Sequence, residues 1–212
     1  MNYLEAIKYP KTPHFDFSQS LQNDDRRLIT THAFENADRI IVTLKLDGEN
    51  SNIYNNYYHP RSVIDDGHES RNWLKGFIPN FQYKLPSHLR LCGENMYAEH
   101  SIRYENLESF FYAFSIWNDK NQCFSWDDFV GWCEYLNILH VPVLYDGVFD
   151  YEVIKEIYED LDFNKQEGIV CRVAHSFSYE DFDLCVAKAI RPKHVSTDEH
   201  WKKTWKPNKL KK

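Results

Sequence analysis

The stretch TLKLDGEN, residues 43–50, decides how this chain is read. It places Lys45 at the end of an apolar run and follows it two residues later with Asp47-Gly48. A lysine in such a strand ordinarily packs its stem and keeps its ammonium in water. The sharper alternative is a nucleophilic amine held where its charge is awkward. Around it, DRIIVTLKL (38–46) and SNIYNNYYH (51–59) read as two strands, and Asp47-Gly48 between them is a hairpin signal.

Working outward, the remaining segments mix hairpins and helices without regular alternation. ESRNWLKGFIPNF (69–81) predicts a short helix closed before Pro79, while LRLCGENMYA and SFFYAFSIW predict strands. SWDDFVGWCEYLNIL (125–139) has apolar residues at helical spacing behind a Ser N-cap with acids in its first turn. VPVLYDG is strand-like, and DYEVIKEIYEDL (150–161) predicts a second amphipathic helix. EGIVCRVA (167–174) and LCVAKAI (184–190) read as the closing strands. Residues 1–38, turn-rich around Pro10 and Pro13, are expected to be mostly irregular with short helices. The order implies an α+β fold of largely antiparallel sheets flanked by helices.

A chain of 212 residues, 42% apolar and 16% aromatic, can bury one sizeable core and is not a disordered polymer. Its 14 Tyr, 14 Phe and 6 Trp exceed what a minimal core needs, so some rings could serve flat partners such as bases. No apolar run reaches membrane-spanning length, and MNYLEAIKYPKTPH lacks a signal-peptide core. Five cysteines, odd in number and without a C-x-x-C pair, imply reduced thiols and an intracellular, cytoplasmic setting. The ten histidines show no H-E-x-x-H spacing, which argues against a zinc enzyme.

The net charge of −7 argues against a nucleic-acid binder, but the charge is unevenly distributed. Residues 186–212 carry nine Lys/Arg and two acids, a local +7, which leaves −14 for residues 1–185. The last twelve residues, WKKTWKPNKLKK, contain six lysines and two tryptophans. Such a run is either a solvated tail or a contact for a phosphate backbone and exposed bases.

Five segments in order, KLDGEN at Lys45, GENMYA at Glu94, FYAFSIW around Phe114, QEGIVCR at Glu167 and VAKAIRP at Lys188, resemble the serial motifs of the covalent nucleotidyltransferase superfamily of polynucleotide ligases and mRNA capping enzymes. One K-x-D-G recurs by chance; five such segments across residues 45–191 are specific. The nearest resemblance is to ATP-dependent RNA ligases, because only about twenty residues follow the last motif and leave no room for the OB domain of DNA ligases and capping enzymes. The resemblance implies a nucleotidyltransferase domain, ATP-grasp-like in its ligase chemistry, over residues 1–195, with a basic tail at 196–212. It also implies a monomeric, intracellular enzyme, cellular or phage- or virus-encoded. ATP and Mg²⁺ or Mn²⁺ would be its cofactors, and RNA with 5′-phosphate and 3′-hydroxyl ends its substrate. A DNA ligase, a GTP-using capping enzyme, or a nucleotide- or RNA-end-binding module without turnover are the alternatives.

The same resemblance assigns roles. Lys45 attacks the α-phosphate of ATP, and Lys188 binds that phosphate. Free lysine titrates near about 10.4, so Lys45 is expected to be neutralised by nearby positive charge, from Lys188 and a bound metal, and by desolvation. Asp47 and Glu167 are the carboxylates expected around the metal, acting through its waters. Gly48 permits the turn, Asn50 bonds the phosphate or leaving group, Glu94 accepts from ribose hydroxyls, and Phe114 stacks on adenine. Arg61 matches a phosphate-contacting arginine; Arg71 is either a second one or an exposed helix arginine. Two departures stand out: Ser115 replaces a usual acid, and Ile190 replaces a usual second lysine. Arg191, adjacent to Ile190, would need a bulge to substitute for that lysine. His14 is assigned no chemistry.

Overall fold

Strands of β-branched residues need partners on both edges, and β1 (Ile40–Lys45) finds them by taking the centre of a four-stranded sheet. In the computed structural model, which describes residues 6–21, 25–192 and 205–212, that sheet runs β10 (Val186–Ile190), β8 (Gly168–Val173), β1, β7 (Val143–Gly147). The second sheet has six strands in the order β3 (Tyr58–Pro60), β2 (Glu49–Ile53), β4 (Leu89–Asn95), β5 (Phe111–Asn118), β6 (Gln122–Cys123), β9 (Phe177–Ser178). Every pairing between these strands is antiparallel, so the fold is α+β with antiparallel sheets, as the segment order implied.

The hairpin expected at Asp47-Gly48 does not form. β1 pairs with β7 and β8, and β2 with β3 and β4, so the turn carries the chain from one sheet to the other. Gly48 is needed because the backbones crowd there: a Cβ would lie 2.6 Å from the Asn95 carbonyl oxygen. The segment 51–59 is likewise two strands, since the chain reverses after Ile53 and β3 returns along β2.

Side-chain alternation sorts the four-stranded sheet into two faces. Ile40, Val42, Ile169, Cys171, Ala187 and Ala189 are buried in a core shared with Phe34 of α1 (His32–Glu35) and with Ile154 and Tyr158 of α4 (Tyr151–Glu159). The other face presents Thr43, Lys45, Val170, Arg172 and Lys188 to a cavity closed by the six-stranded sheet. A second core gathers Leu74 of α2 (Asn72–Phe77) with Phe129, Cys133 and Leu136 of α3 (Trp126–Leu136) against β4 and β5. Ser125 caps α3 and Asp150 caps α4, each accepting from first-turn N–H groups, and Asn137 ends α3 in the left-handed conformation. Residues 184 and 185, read as strand, form the end of α5 (Phe182–Cys185), and β10 begins only at Val186.

The segments before α1 and at 205–212 both do structural work. The irregular segment before α1 lies along β10: Phe15 donates to the Lys188 carbonyl at 2.8 Å and Lys188 donates to that of Pro13 at 2.9 Å. The part of the 196–212 tail up to residue 204 lies outside the described residues. Residues 205–212 pack along 96–107 by isolated bridges, Ala98 with Pro207 and Leu107 with Leu210. All five cysteines are buried and unbridged, and among the described residues no helix is long and apolar enough to cross a membrane.

Candidate active site

Strand register brings the motif residues together. Lys45, the last residue of β1, sits opposite Gly168, and Glu167 immediately precedes it. Thr43, Val170 and Lys188 form one cross-strand row on the cavity face, one pleat away from Lys45. From the other sheet, Asn50 of β2 is paired with Glu94 of β4. The cavity, about 690 Å³, is lined by Lys45, Gly48, Asn50, Arg61, Glu94, Phe114 and Lys188 among others. A neighbouring opening shares Lys11, Lys45, Arg61 and Lys188 and adds Lys8 and Arg26 from the N-terminal segment.

Phe114 owes its direction to a bulge. Cys92 pairs with Ser115 and Gly93 with Ala113, so Phe114 is the extra residue on β5. Its ring stands edge-on to Tyr9, centroids 5.2 Å apart. Ser115 is buried and accepts the Trp117 indole N–H at 3.0 Å. The bulge therefore interrupts the two-residue alternation of β5 at Phe114.

The electrostatics differ from expectation at the lysine. Lys45 Nζ lies 2.6 Å from Glu167 Oε2, and the Glu167 side chain is 1% exposed. Burial pulls the Lys45 amine downward, but Glu167, Glu94 and Asp47 outweigh it, and the net direction is upward. Lys45 is thus held as an ammonium in this state, rather than neutralised by neighbouring cations. Lys188 carries the depressed pKa, lowered to about 8 by burial and then by Lys45. Burial raises Glu94 to about 8 and Glu167 to about 7, with the Lys45 charge opposing both.

Asp47 is engaged by a loop. Its Oδ2 accepts from Ser101 N at 2.8 Å, Ser101 Oγ at 2.6 Å and Ile102 N at 2.9 Å. Arg61 lines the cavity and donates through Nε to the Tyr9 carbonyl. Arg71 is not an exposed arginine: 2% exposed, it lines the cavity and binds Glu49 bidentately and also Asp65 and Asp66. Arg191, past the end of β10, reaches the carbonyl and hydroxyl of Ser101. Among the described residues, no three His, Cys, Asp or Glu side chains are grouped as a metal-ligand set.

Sequence reading missed several participants. Ser101, Ile102 and Tyr104 sit in a loop without a periodic signal, and Asn208 lies in a segment read only for its charge. His14 is fully buried, its Nδ1 2.8 Å from Ser18 Oγ and its Nε2 3.3 Å from Asp25. Burial, reinforced by Lys188, lowers it to about 4, so it stands neutral beside that lysine.

The family model for RNA ligase matches residues 38–190. The chain belongs to the RNA ligase family. Solved structures with the same fold include an archaeal ATP-dependent RNA ligase, at 14% identity and a TM-score of 0.59 over 86% of this chain and 48% of that one. A Naegleria gruberi RNA ligase variant bound to ATP and Mn has 21% identity and a TM-score of 0.53 over 88% of this chain and 61% of that one. A candidate ATP-dependent DNA ligase from Aquifex aeolicus has 19% identity and a TM-score of 0.56 over 86% and 49%. This family member spans about half the length of the first of these. A sequence search of curated proteins finds no match.

Proposed function

We propose that this RNA ligase family member is an ATP-dependent enzyme that joins 5′-phosphate and 3′-hydroxyl RNA ends through a lysyl-AMP intermediate on Lys45. The observation that carries the reading is the convergence of Lys45, Glu94, Lys188 and Phe114, from four strands, on one cavity, with Glu167, the residue preceding a fifth strand, in the adjoining opening and 2.6 Å from Lys45. Lys45 must first release its ammonium proton to solvent, because Glu167, 2.6 Å away, holds that amine charged at rest. The Lys45 Nζ–phosphorus bond then forms as the bond from the α-phosphorus to pyrophosphate breaks. The adenylyl group passes to a 5′-phosphate oxygen, which frees Lys45, and attack by a 3′-hydroxyl expels AMP.

Within this scheme Lys188 and Arg61 hold phosphate oxygens, Asn50 bonds the phosphate or leaving group, Glu94 accepts from ribose, and Phe114 stacks on the base. The donor set suits a hard divalent cation: Glu167 is a buried carboxylate and Glu94 a half-buried one, both with raised pKa values, which a positive charge would relieve. Glu167 and Asp47 are the proposed carboxylates for Mg²⁺ or Mn²⁺, with Asp47 acting through water because its Oδ2 is engaged by Ser101 and Ile102. When bound, the cation supplies charge neutralisation on the phosphates. The RNA end is proposed to approach past Lys8, Lys11 and Arg26, with Lys206, Lys209, Lys211 and Lys212 offering further cations to the backbone.

Labelled ATP and GTP in parallel, each followed by denaturing electrophoresis, test the nucleotide, and nicked RNA against nicked DNA tests the substrate. Label retained from ATP alone, with sealing of RNA, is the expected result. Label from GTP would indicate a capping enzyme, preferential DNA sealing a DNA ligase, and binding without covalent label a module lacking turnover.

A further inference from the structure

Residues 205–212 carry more than positive charge. Asn208 is 3% exposed, and its amide is satisfied in both senses, which asparagine can manage and aspartate or leucine cannot. Its Nδ2 donates to the carbonyls of Met96 at 2.8 Å and Ala98 at 3.2 Å, and its Oδ1 accepts the Tyr104 N–H at 2.9 Å. Its backbone N–H binds the Tyr97 carbonyl at 2.9 Å, and the next residue, Lys209, donates to the Tyr104 carbonyl at 2.9 Å. Glu99 N–H donates to the Lys206 carbonyl at 2.8 Å. The C-terminal segment therefore grips the 96–104 loop along its length, with both backbone groups of Tyr104 engaged.

That loop is the one that holds the nucleophile's motif. Ser101 and Ile102 supply the three donors on Asp47 Oδ2, and the Tyr104 hydroxyl accepts the Asp47 N–H at 3.2 Å. Asp47 is two residues from Lys45 and adjoins Gly48, whose N–H binds Glu94. We infer that Asn208 is a positioning residue: through Tyr104 it fixes the loop that clamps Asp47, and so sets the aim of Lys45 at the bound nucleotide. The C-terminal segment then contributes to the adenylylation step itself and not only to RNA affinity. This rests on the lysyl-AMP reading above.

The test uses the full chain with Asn208→Ala, Tyr104→Phe and the double variant. Single-turnover lysyl-AMP formation is measured across ATP concentrations, together with thermal unfolding and amide exchange at Ser101 and Ile102. The expected result is at least a tenfold lower maximal rate in Asn208→Ala at a temperature where it is fully folded, with the ATP dependence little changed and both amides exchanging faster. Tyr104→Phe, which removes one hydroxyl, should slow the same step, and the double variant should be no slower than Asn208→Ala. A lowered melting temperature with a wild-type maximal rate in the folded protein would make Asn208 merely structural and overturn the inference. If Asn208→Ala does not fold, a wild-type rate in Tyr104→Phe overturns it equally. A wild-type chain that forms no adduct sinks the lysyl-AMP reading instead; unchanged exchange at Ser101 and Ile102 would then separately sink the coupling from Asn208 to Asp47.

Discussion

Replacing Glu167 by Gln keeps the side chain's shape and one hydrogen bond to Lys45 while removing the charge that does most to hold that amine protonated. At 2.6 Å, two unit charges in an effective dielectric of about 20 attract by about 6 kcal/mol. Desolvating the carboxylate cancels much of that, and a conservative remainder of about 1.4 kcal/mol is worth tenfold in the neutral fraction of the amine. The assay is pulse labelling with an amine-selective acylating reagent at pH 8, with each lysine quantified by peptide mapping. Exposed Lys120 serves as the internal reference. Lys45 in Glu167→Gln should label at least about tenfold faster relative to Lys120 than Lys45 in the wild type. Equal ratios would refute the claim that Glu167 keeps the resting nucleophile charged.

Three further outcomes follow from the same geometry. Arg71→Met strips Glu49, Asp65 and Asp66 of their buried partner, so urea unfolding should show a loss of about 3–5 kcal/mol; a loss below about 1 kcal/mol would show the network to be dispensable. Gly168→Ala would place a Cβ 2.0 Å from the Ala189 carbonyl oxygen, prying β10 from β8, with a stability loss of about 1–3 kcal/mol or more and weakened ATP binding by titration calorimetry. Glu94→Gln has a pH signature. Because burial raises the Glu94 carboxyl from 4.5 to about 8, the folded chain keeps a proton that the unfolded chain releases, and stability falls as pH rises across that window. The Gln variant should therefore melt higher than wild type at pH 9 and show no such gain at pH 4.

Much of the site was legible because it is written in local signals. β-branched runs ending in Lys45, the Asp47-Gly48 turn, Glu167-Gly168 and the strand bearing Lys188 each mark their own element, and antiparallel register then delivers the residues to one place. What was not legible depends on contacts far apart in sequence. Asp-Gly looks the same whether it closes a hairpin or passes the chain between sheets; the choice is made by β7 and β8 competing for the edges of β1. The bulge at Phe114 and the lodging of residues 13–15 against Lys188 leave no periodic trace. The charge of Lys45 was misjudged because the sequence displays the cation at 188 and the acids at 94 and 167 without saying which lies at 2.6 Å. Arg71 was open between solvent and phosphate because its three acidic partners come from β2 and from the segment between β3 and α2.

The most direct measurement is the intact mass of the protein after incubation with ATP and Mg²⁺ or Mn²⁺, wild type beside Lys45→Ala. A gain of one adenylyl group in the wild type, mapped to Lys45 and missing from the variant, is the predicted result. An unmodified wild type that nevertheless binds ATP, or a modification that survives in Lys45→Ala, would contradict it.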